Sequence, residues 1–125
     1  MVKIRSHRDL IIFQKAFEAA MEIFQLTKGF PKEENYSLID QIRRSSRSVA
    51  ANLAEAFRRR LYPRMFVAKI VDCESEAAET QVWLEFSNQC QYLDQSTTEN
   101  LIGIYDEILN IAVEMKAHPE RWQPL

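Results

Sequence analysis

The stretch Phe66-Val-Ala-Lys-Ile-Val-Asp-Cys-Glu-Ser-Glu-Ala-Ala-Glu-Thr-Gln-Val-Trp-Leu-Glu-Phe-Ser87 decides the fold of this chain. Its apolar and small residues recur in alternating steps of four and three, which is the spacing of the seam of a helical bundle or coiled coil. Such a seam has to be buried against other helices. We therefore predict a long helix that packs lengthwise through Phe66, Ile70, Cys73, Ala77, Thr80, Leu84 and Ser87.

Three other segments show the same helical periodicity, and residues typical of helix starts and stops lie at their ends. Ser6 and Asp9 resemble a capping box at the start of the first helix, and Ser96 and Glu99 resemble one at the start of the last. Tyr62 precedes a proline that separates the two central helices. We predict helices at about 7–28, 33–60, 63–92 and 97–117, followed by an irregular tail at 118–125 whose Trp122 could fold back onto the helices.

Short connections between long helices favour antiparallel neighbours, so this pattern predicts an up-down-up-down four-helix bundle. Only two glycines and four prolines occur, and runs that alternate polar and apolar residues are lacking, which favours an all-α fold. The 125 residues, 46% of them hydrophobic, suit one domain spanning residues 1–125.

Cys73 and Cys90 lie on one predicted helix, about 25 Å apart, so they cannot pair within the chain and read as reduced thiols. With neither an apolar signal region nor a membrane-length apolar run, the expected location is the cytoplasm, with no membrane partner.

The net charge of −2 conceals a division between the two halves of the chain. Residues 1–64 carry 13 Lys and Arg against 7 Asp and Glu, whereas residues 65–125 carry 3 against 11. One explanation is a basic binding face, and the other is that helices of opposite sign pack side by side or pair between subunits.

The basic charge is concentrated in the predicted second helix, where residues 41–60 hold six arginines and one acid. Projected at 100° per residue, five of these arginines fall opposite the apolar positions and therefore face away from the core. Arginine binds phosphate or carboxylate at two points, so this face predicts contact with RNA, DNA, a nucleoprotein or an acidic protein surface. The candidate residues are Arg43, Arg44, Arg47, Arg58 and Arg59, extended past the helix end by Arg60 and Arg64.

An alternative role for the arginines is structural. Asp72, Glu76 and Glu79 share an outer face of the third helix and are candidates for ion pairs within or between subunits. On that interpretation the protein is a structural or adaptor protein, and the arginines serve its assembly.

A group of large apolar residues continues the line of these acids, away from the main seam of the third helix. The group is Trp83, Phe86 and Cys90. Such a group predicts a subunit interface, although a helix lying between two neighbours would also bury a wider arc.

The chain contains no recognisable catalytic, cofactor-binding or metal-binding motif. Ser45, Ser46 and Ser48 have no motif that supplies a base, and small residues in a helix favour close packing. His7 and His118 would approach each other in an up-down bundle, which leaves a two-histidine metal site as a minor hypothesis. We predict neither enzymatic activity nor a cofactor nor a small-molecule substrate.

Several stretches give the chain a resemblance to a known family over about residues 8–115. They are Asp9-Leu-Ile-Ile-Phe-Gln-Lys-Ala16, Leu26-Thr-Lys-Gly-Phe-Pro-Lys-Glu-Glu-Asn-Tyr-Ser-Leu38, Gln41-Ile-Arg-Arg-Ser-Ser-Arg-Ser-Val49, Asn52-Leu-Ala-Glu55, Glu79-Thr-Gln81 and Gln91-Tyr-Leu93. The sequence resembles the bacterial four-helix-bundle proteins first noticed as products of intervening sequences in large-subunit ribosomal RNA genes. Ala56 stands where the family commonly has Gly, so we expect the second helix to continue through this position.

The resemblance implies a left-handed up-and-down bundle that assembles as a homo-oligomer, with a homopentameric ring as the expected arrangement. It does not imply an enzyme. A related branch, the accessory proteins of diversity-generating retroelements, is associated with nucleic acid and a reverse transcriptase through basic surfaces. That branch raises the expectation of RNA or DNA contact for this chain.

Overall fold

A computed structural model describes residues 4–122 and contains four α-helices and no strand in that range. The all-α fold predicted from the sequence is confirmed. The helices are α1 (Ile11–Thr27), α2 (Leu38–Arg58), α3 (Pro63–Gln89) and α4 (Gln95–Ala117). None of the described helices combines the length and the apolar character that a membrane crossing requires.

Each helix packs against the next one in the chain, and α1 also packs against α4, which is the contact pattern of a four-helix bundle. Along the α2–α3 and α3–α4 seams, later residues of one helix meet earlier residues of the next, so these pairs run antiparallel. The contacts are Ser45–Thr80, Glu55–Lys69, Gln81–Asp106 and Glu74–Lys116. The complete up-down-up-down order and the left-handed sense of the bundle stay predictions.

The predicted seam of α3 is confirmed residue by residue, because its seven members are the buried residues of that helix. Two of them are polar, and the hydroxyl of Thr80 donates to the Ser45 hydroxyl of α2 at 2.8 Å. Ser46 is also buried and donates to the Arg43 carbonyl at 3.2 Å. Ser45 and Ser46 therefore serve close packing between helices, as their small size indicates.

The start of α1 differs from the prediction. Ser6 and Asp9 do form a capping box, with the Ser6 hydroxyl accepting from the Arg8 amide at 3.2 Å, but it caps a 3₁₀ turn at His7–Asp9. Leu10 then adopts an extended conformation and enters the core, so α1 begins only at Ile11. The burial of Leu10 interrupts the helical path that the local signals predict.

The start of α2 is also later than predicted. A 3₁₀ turn occupies Lys32–Glu34, and the Glu34 carboxylate accepts from the Ser37 hydroxyl and the Leu38 amide. At the other end α2 continues through Ala56, as expected, and stops at Arg58.

At its C-terminus α3 ends at Gln89 instead of near residue 92. The amide of Gln91 donates to the Asn88 carbonyl and that of Tyr92 to the Ser87 carbonyl, each at 2.9 Å. These two bonds make a Schellman motif, which requires a left-handed residue, and Gln91 supplies it with a φ of 65°.

The second predicted capping box, at the start of α4, is wrong. Asp94, and not Ser96, is the N-cap, because its carboxylate accepts from the Thr97 amide at 2.7 Å. The tail after α4 forms a 3₁₀ turn at Pro119–Trp122 where an irregular segment was expected, and Trp122 packs partly against the core. The rest of the predicted tail, residues 123–125, lies outside the described residues.

Candidate nucleic-acid interface

The seven candidate arginines do not form one uniform face. The structure divides them into three groups by their contacts: Arg43 and Arg47 beside α1, Arg44 above the α2–α3 seam, and Arg58, Arg59, Arg60 and Arg64 at the corner between α2 and α3.

Arg43 ties α2 to the last turn of α1. Its Nε donates to the Thr27 hydroxyl at 2.8 Å, its Nη2 lies 3.4 Å from the Phe24 carbonyl, and its guanidinium lies over the Phe24 ring. A cation at this place stabilises the carbonyl end of a helix and its dipole. Arg43 thus has a structural role, whereas Arg47, 5.7 Å from the same ring centre, keeps an exposed side chain.

Arg44 is 74% exposed and makes one long ion pair, 3.8 Å, with Asp40 of its own helix. It borders a polar cavity of about 150 Å³ whose other walls include Glu76 and Glu79. Partial burial and the neighbouring Glu79 carboxylate raise the pKa of Glu76, and the Arg44 charge acts in the opposite direction. Arg44 is therefore the candidate arginine that interacts electrostatically with the acidic face of α3.

The corner arginines differ from one another in exposure. Arg60 folds back onto the end of α2: its guanidinium donates to the Phe57 carbonyl at 2.8 Å and lies 3.9 Å from the centre of the Phe57 ring. Arg58 and Arg64 are exposed and Arg59 is half-buried. Within residues 4–122, no carboxylate lies at ion-pair distance from any of these four side chains.

Two further arginines approach this corner, and the sequence interpretation did not include them. Arg8 lies in the 3₁₀ turn before α1 and Arg5 lies two residues before that turn, which packs against α2. Because the end of α1 contacts Arg43 near the start of α2, the beginning of α1 lies toward the end of α2. No local signal in the sequence marks this convergence, since Arg8 and Arg58 are separated by two whole helices.

The acids proposed as partners for the arginines have other neighbours. Asp72 lies 3.7 Å from Lys69, and Glu79 accepts from the Trp83 indole at 3.2 Å. In the described part of the chain, no arginine forms an ion pair with Asp72, Glu76 or Glu79.

Trp83, Phe86 and Cys90, the candidate interface residues, line one open cleft between the start of α2 and the end of α3. Its volume is about 400 Å³. Phe86 is 53% exposed, and its ring is tilted against that of Trp83 with 5.8 Å between the ring centres; Trp83 packs partly on the core. α3 thus buries part of Trp83 in its wider arc but leaves Phe86 and Cys90 accessible.

The cleft also contains a carboxylate with a defined hydrogen-bond environment. Glu34 accepts from the hydroxyls of Ser37 and Tyr92, which lowers the pKa of Glu34. The same bond to Glu34 raises the pKa of Tyr92 to about 12.

The two histidines lie in different local surroundings. The His7 ring meets the Phe13 ring edge-on at 4.8 Å, while His118 lies 3.6 Å from Glu114 and 3.4 Å from Glu120. Over residues 4–122, no group of three or more His, Cys, Asp and Glu side chains is arranged to hold a metal ion.

Comparison with known proteins gives the chain its family. The model of the 23S rRNA-intervening sequence protein family matches residues 8–114. A solved structure similar to this chain is a protein of unknown function from the S23 ribosomal protein family of Bacteroides thetaiotaomicron VPI-5482. The two chains are 27% identical with a TM-score of 0.77, and the match covers 86% of this chain and 96% of that one. Among curated proteins there is no match. Because the family model covers most of its length, this chain belongs to the family of 23S rRNA-intervening sequence proteins.

Proposed function

We propose that this protein is a non-enzymatic, homo-oligomeric bundle that binds nucleic acid, or a nucleoprotein partner, through its arginines. The observation that carries the proposal is the corner between α2 and α3, where Arg58, Arg59 and Arg64 have no carboxylate partner among the described residues. Unpaired guanidinium groups clustered on a surface attract phosphates and release counterions when they bind them.

The contacts of the individual arginines guide the choice of residues for phosphate binding. Arg43 and Arg60 are engaged by α1 and by the end of α2, so we assign phosphate contact mainly to the others. The principal residues are Arg58, Arg59 and Arg64, with Arg44 and Arg47 as a second, more distant group.

The test is a binding titration with a generic RNA at several salt concentrations. Each phosphate contact should contribute a slope of roughly 0.7 log unit of affinity per decade of salt for a single strand. Arg58→Ala/Arg59→Ala/Arg64→Ala should weaken binding and flatten this slope. Lys28→Ala/Lys32→Ala, which removes exposed positive charge near the start of α2, is the control. Salt-independent binding, or equal losses in both variants, would contradict the proposal.

We propose that the oligomer forms through the cleft lined by Trp83, Phe86 and Cys90, where apolar side chains remain accessible. The resemblance to the family favours a pentamer. Light scattering after size exclusion gives the mass, and Trp83→Ala or Phe86→Ala should reduce it. An unchanged mass in both variants would remove this cleft from the interface.

The alternative function is a structural or adaptor role in which arginines form ion pairs across subunits. The observation that favours it is the pair Glu76 and Glu79, which borders Arg44 yet forms no ion pair with any described arginine. Reversal of charge by Arg44→Glu discriminates the two roles. The adaptor role predicts a broken oligomer, whereas nucleic-acid binding predicts an intact oligomer with reduced affinity.

We also propose a cytoplasmic location. The two cysteines are free, Cys73 in the core and Cys90 at the surface, which suits a reducing compartment.

A further inference from the structure

We infer that Tyr62 is a stacking platform for an unpaired base, and that the ligand of the α2–α3 corner is a single-stranded nucleic acid. This inference rests on the proposed function. Three observations carry this inference: the backbone that presents Tyr62, the exposure of its ring, and the arginines that lie close to it in the chain.

The backbone of the corner presents Tyr62 outward. Pro63 is the first residue of α3 and disfavours a helical conformation for the residue before it, so Tyr62 adopts φ −118° and ψ 91°. Its amide donates to the Arg59 carbonyl and its carbonyl accepts from the Phe66 amide, both at 2.9 Å. The ring therefore projects from a main chain that is anchored to both helices, which reduces the entropy lost when a ligand stacks on it.

The ring itself is available to a ligand. Tyr62 is 60% exposed, and its hydroxyl makes no hydrogen bond within the described residues. The adjacent Leu61 is also largely exposed, so the connection between α2 and α3 leaves two large side chains accessible.

The charges around Tyr62 identify the kind of ligand. Arg58, Arg59 and Arg64 all lie within four residues of Tyr62 in the chain. The turn that carries Arg8 packs on α2. An exposed aromatic ring with arginines close to it in the chain is the pattern of proteins that stack bases while they hold the backbone phosphates. A duplex shields the faces of its bases, so only an unpaired base can reach the ring.

The chain provides a matched control. Tyr36 is 98% exposed and precedes α2, about 30 Å from Tyr62 at 1.5 Å per helical residue. Its sequence neighbours Glu33 and Glu34 are carboxylates, which repel phosphate. The two tyrosines thus differ in the sign of the surrounding charge while both rings are exposed.

The experiment measures fluorescence anisotropy at low salt with a labelled 20-nucleotide oligouridine RNA, the matching oligothymidine DNA and an RNA duplex of equal length. We expect Tyr62→Ala to weaken binding to the single strand about 10-fold or more, Tyr62→Phe to retain it and Tyr36→Ala to leave it unchanged. Because Tyr36 also lines the cleft proposed as the subunit interface, Tyr36→Ala is compared at an oligomeric mass equal to that of the unmodified protein, measured by light scattering. Tyr62→Ala should leave duplex affinity unchanged. The RNA and DNA probes distinguish which sugar the corner prefers, and a Tyr62-dependent loss with either supports the inference.

Two results would overturn the inference, and they are distinguishable from failure of the proposed function. If Tyr62→Ala changes single-strand affinity less than 2-fold, or weakens duplex binding equally, while the arginine triple variant still loses binding, the stacking role is wrong and the proposed function stands. If the unmodified protein binds none of the three probes, both are wrong. Thermal unfolding of Tyr62→Ala, expected at the temperature of the unmodified protein, verifies that the fold is intact.

Discussion

Tyr105 offers the sharpest test of the core. Tyr105 lies on α4, and its side chain is fully buried in the core. Its hydroxyl has no hydrogen-bond partner within residues 4–122. A buried polar group without a partner costs about 1–3 kcal/mol of folding free energy. Tyr105→Phe keeps the ring and removes only the hydroxyl, so we expect the free energy of unfolding to rise by about 1–2 kcal/mol.

The assay is urea unfolding followed by circular dichroism at neutral pH. The midpoint should increase while the slope with denaturant stays constant, because the variant exposes almost the same surface on unfolding. For a chain of this size, the same change corresponds to a rise in Tm of roughly 3–8 °C.

Tyr92→Phe is the matched control, since the Tyr92 hydroxyl does have a partner, the Glu34 carboxylate at 2.9 Å. Removing that hydroxyl should lower the urea midpoint. If Tyr105→Phe lowers the midpoint as well, the Tyr105 hydroxyl is hydrogen-bonded in solution and the reasoning is refuted.

The pH dependence of stability supplies a second readout. Burial raises the pKa of Tyr105. The unfolded chain then loses this proton near pH 10 while the folded chain retains it, so stability falls as the pH rises above about 10. Tyr105→Phe removes this contribution, and its stability should decline less steeply in alkali. An identical decline in both proteins would contradict the assignment.

Three other predictions concern single contacts. Gln91→Gly should stabilise the protein by about 1 kcal/mol in urea unfolding, because glycine adopts the left-handed conformation of the α3 cap without steric cost; a loss would mean that the Gln91 side chain has a role. Arg43→Ala should destabilise by about 1–3 kcal/mol by removing the contacts to α1, whereas the exposed Arg44→Ala should change stability by less than about 0.5 kcal/mol. A thiol reagent should reach Cys73 only on unfolding, because its side chain lies in the core and burial raises the pKa of Cys73 to about 12; fast labelling of Cys73 in the folded protein would contradict its core position.

The helices and their buried faces could be predicted because periodicity is a property of the local sequence. The four-and-three spacing from Phe66 to Ser87 identifies the buried residues of α3 without reference to any other helix. The helix ends could not be predicted as well. Ser96 and Asp94 both have side chains that can cap α4. Which of them becomes the N-cap depends on the residue at which the preceding turn ends. Ser6 likewise caps only a short 3₁₀ turn, because Leu10 is buried in the core in an extended conformation and interrupts the helix.

The sequence by itself determined that the arginines of α2 lie opposite its apolar stripe, since a regular helix places residues at fixed angles. Only the tertiary structure decided what each arginine does. Arg43 meets a hydroxyl sixteen residues away on α1, Arg60 bends back to a carbonyl of α2, and the turn carrying Arg8 joins the far end of that helix. The physical reason is that helical periodicity sets the direction of a side chain, whereas its partners come from whichever elements the packing of the core brings beside it.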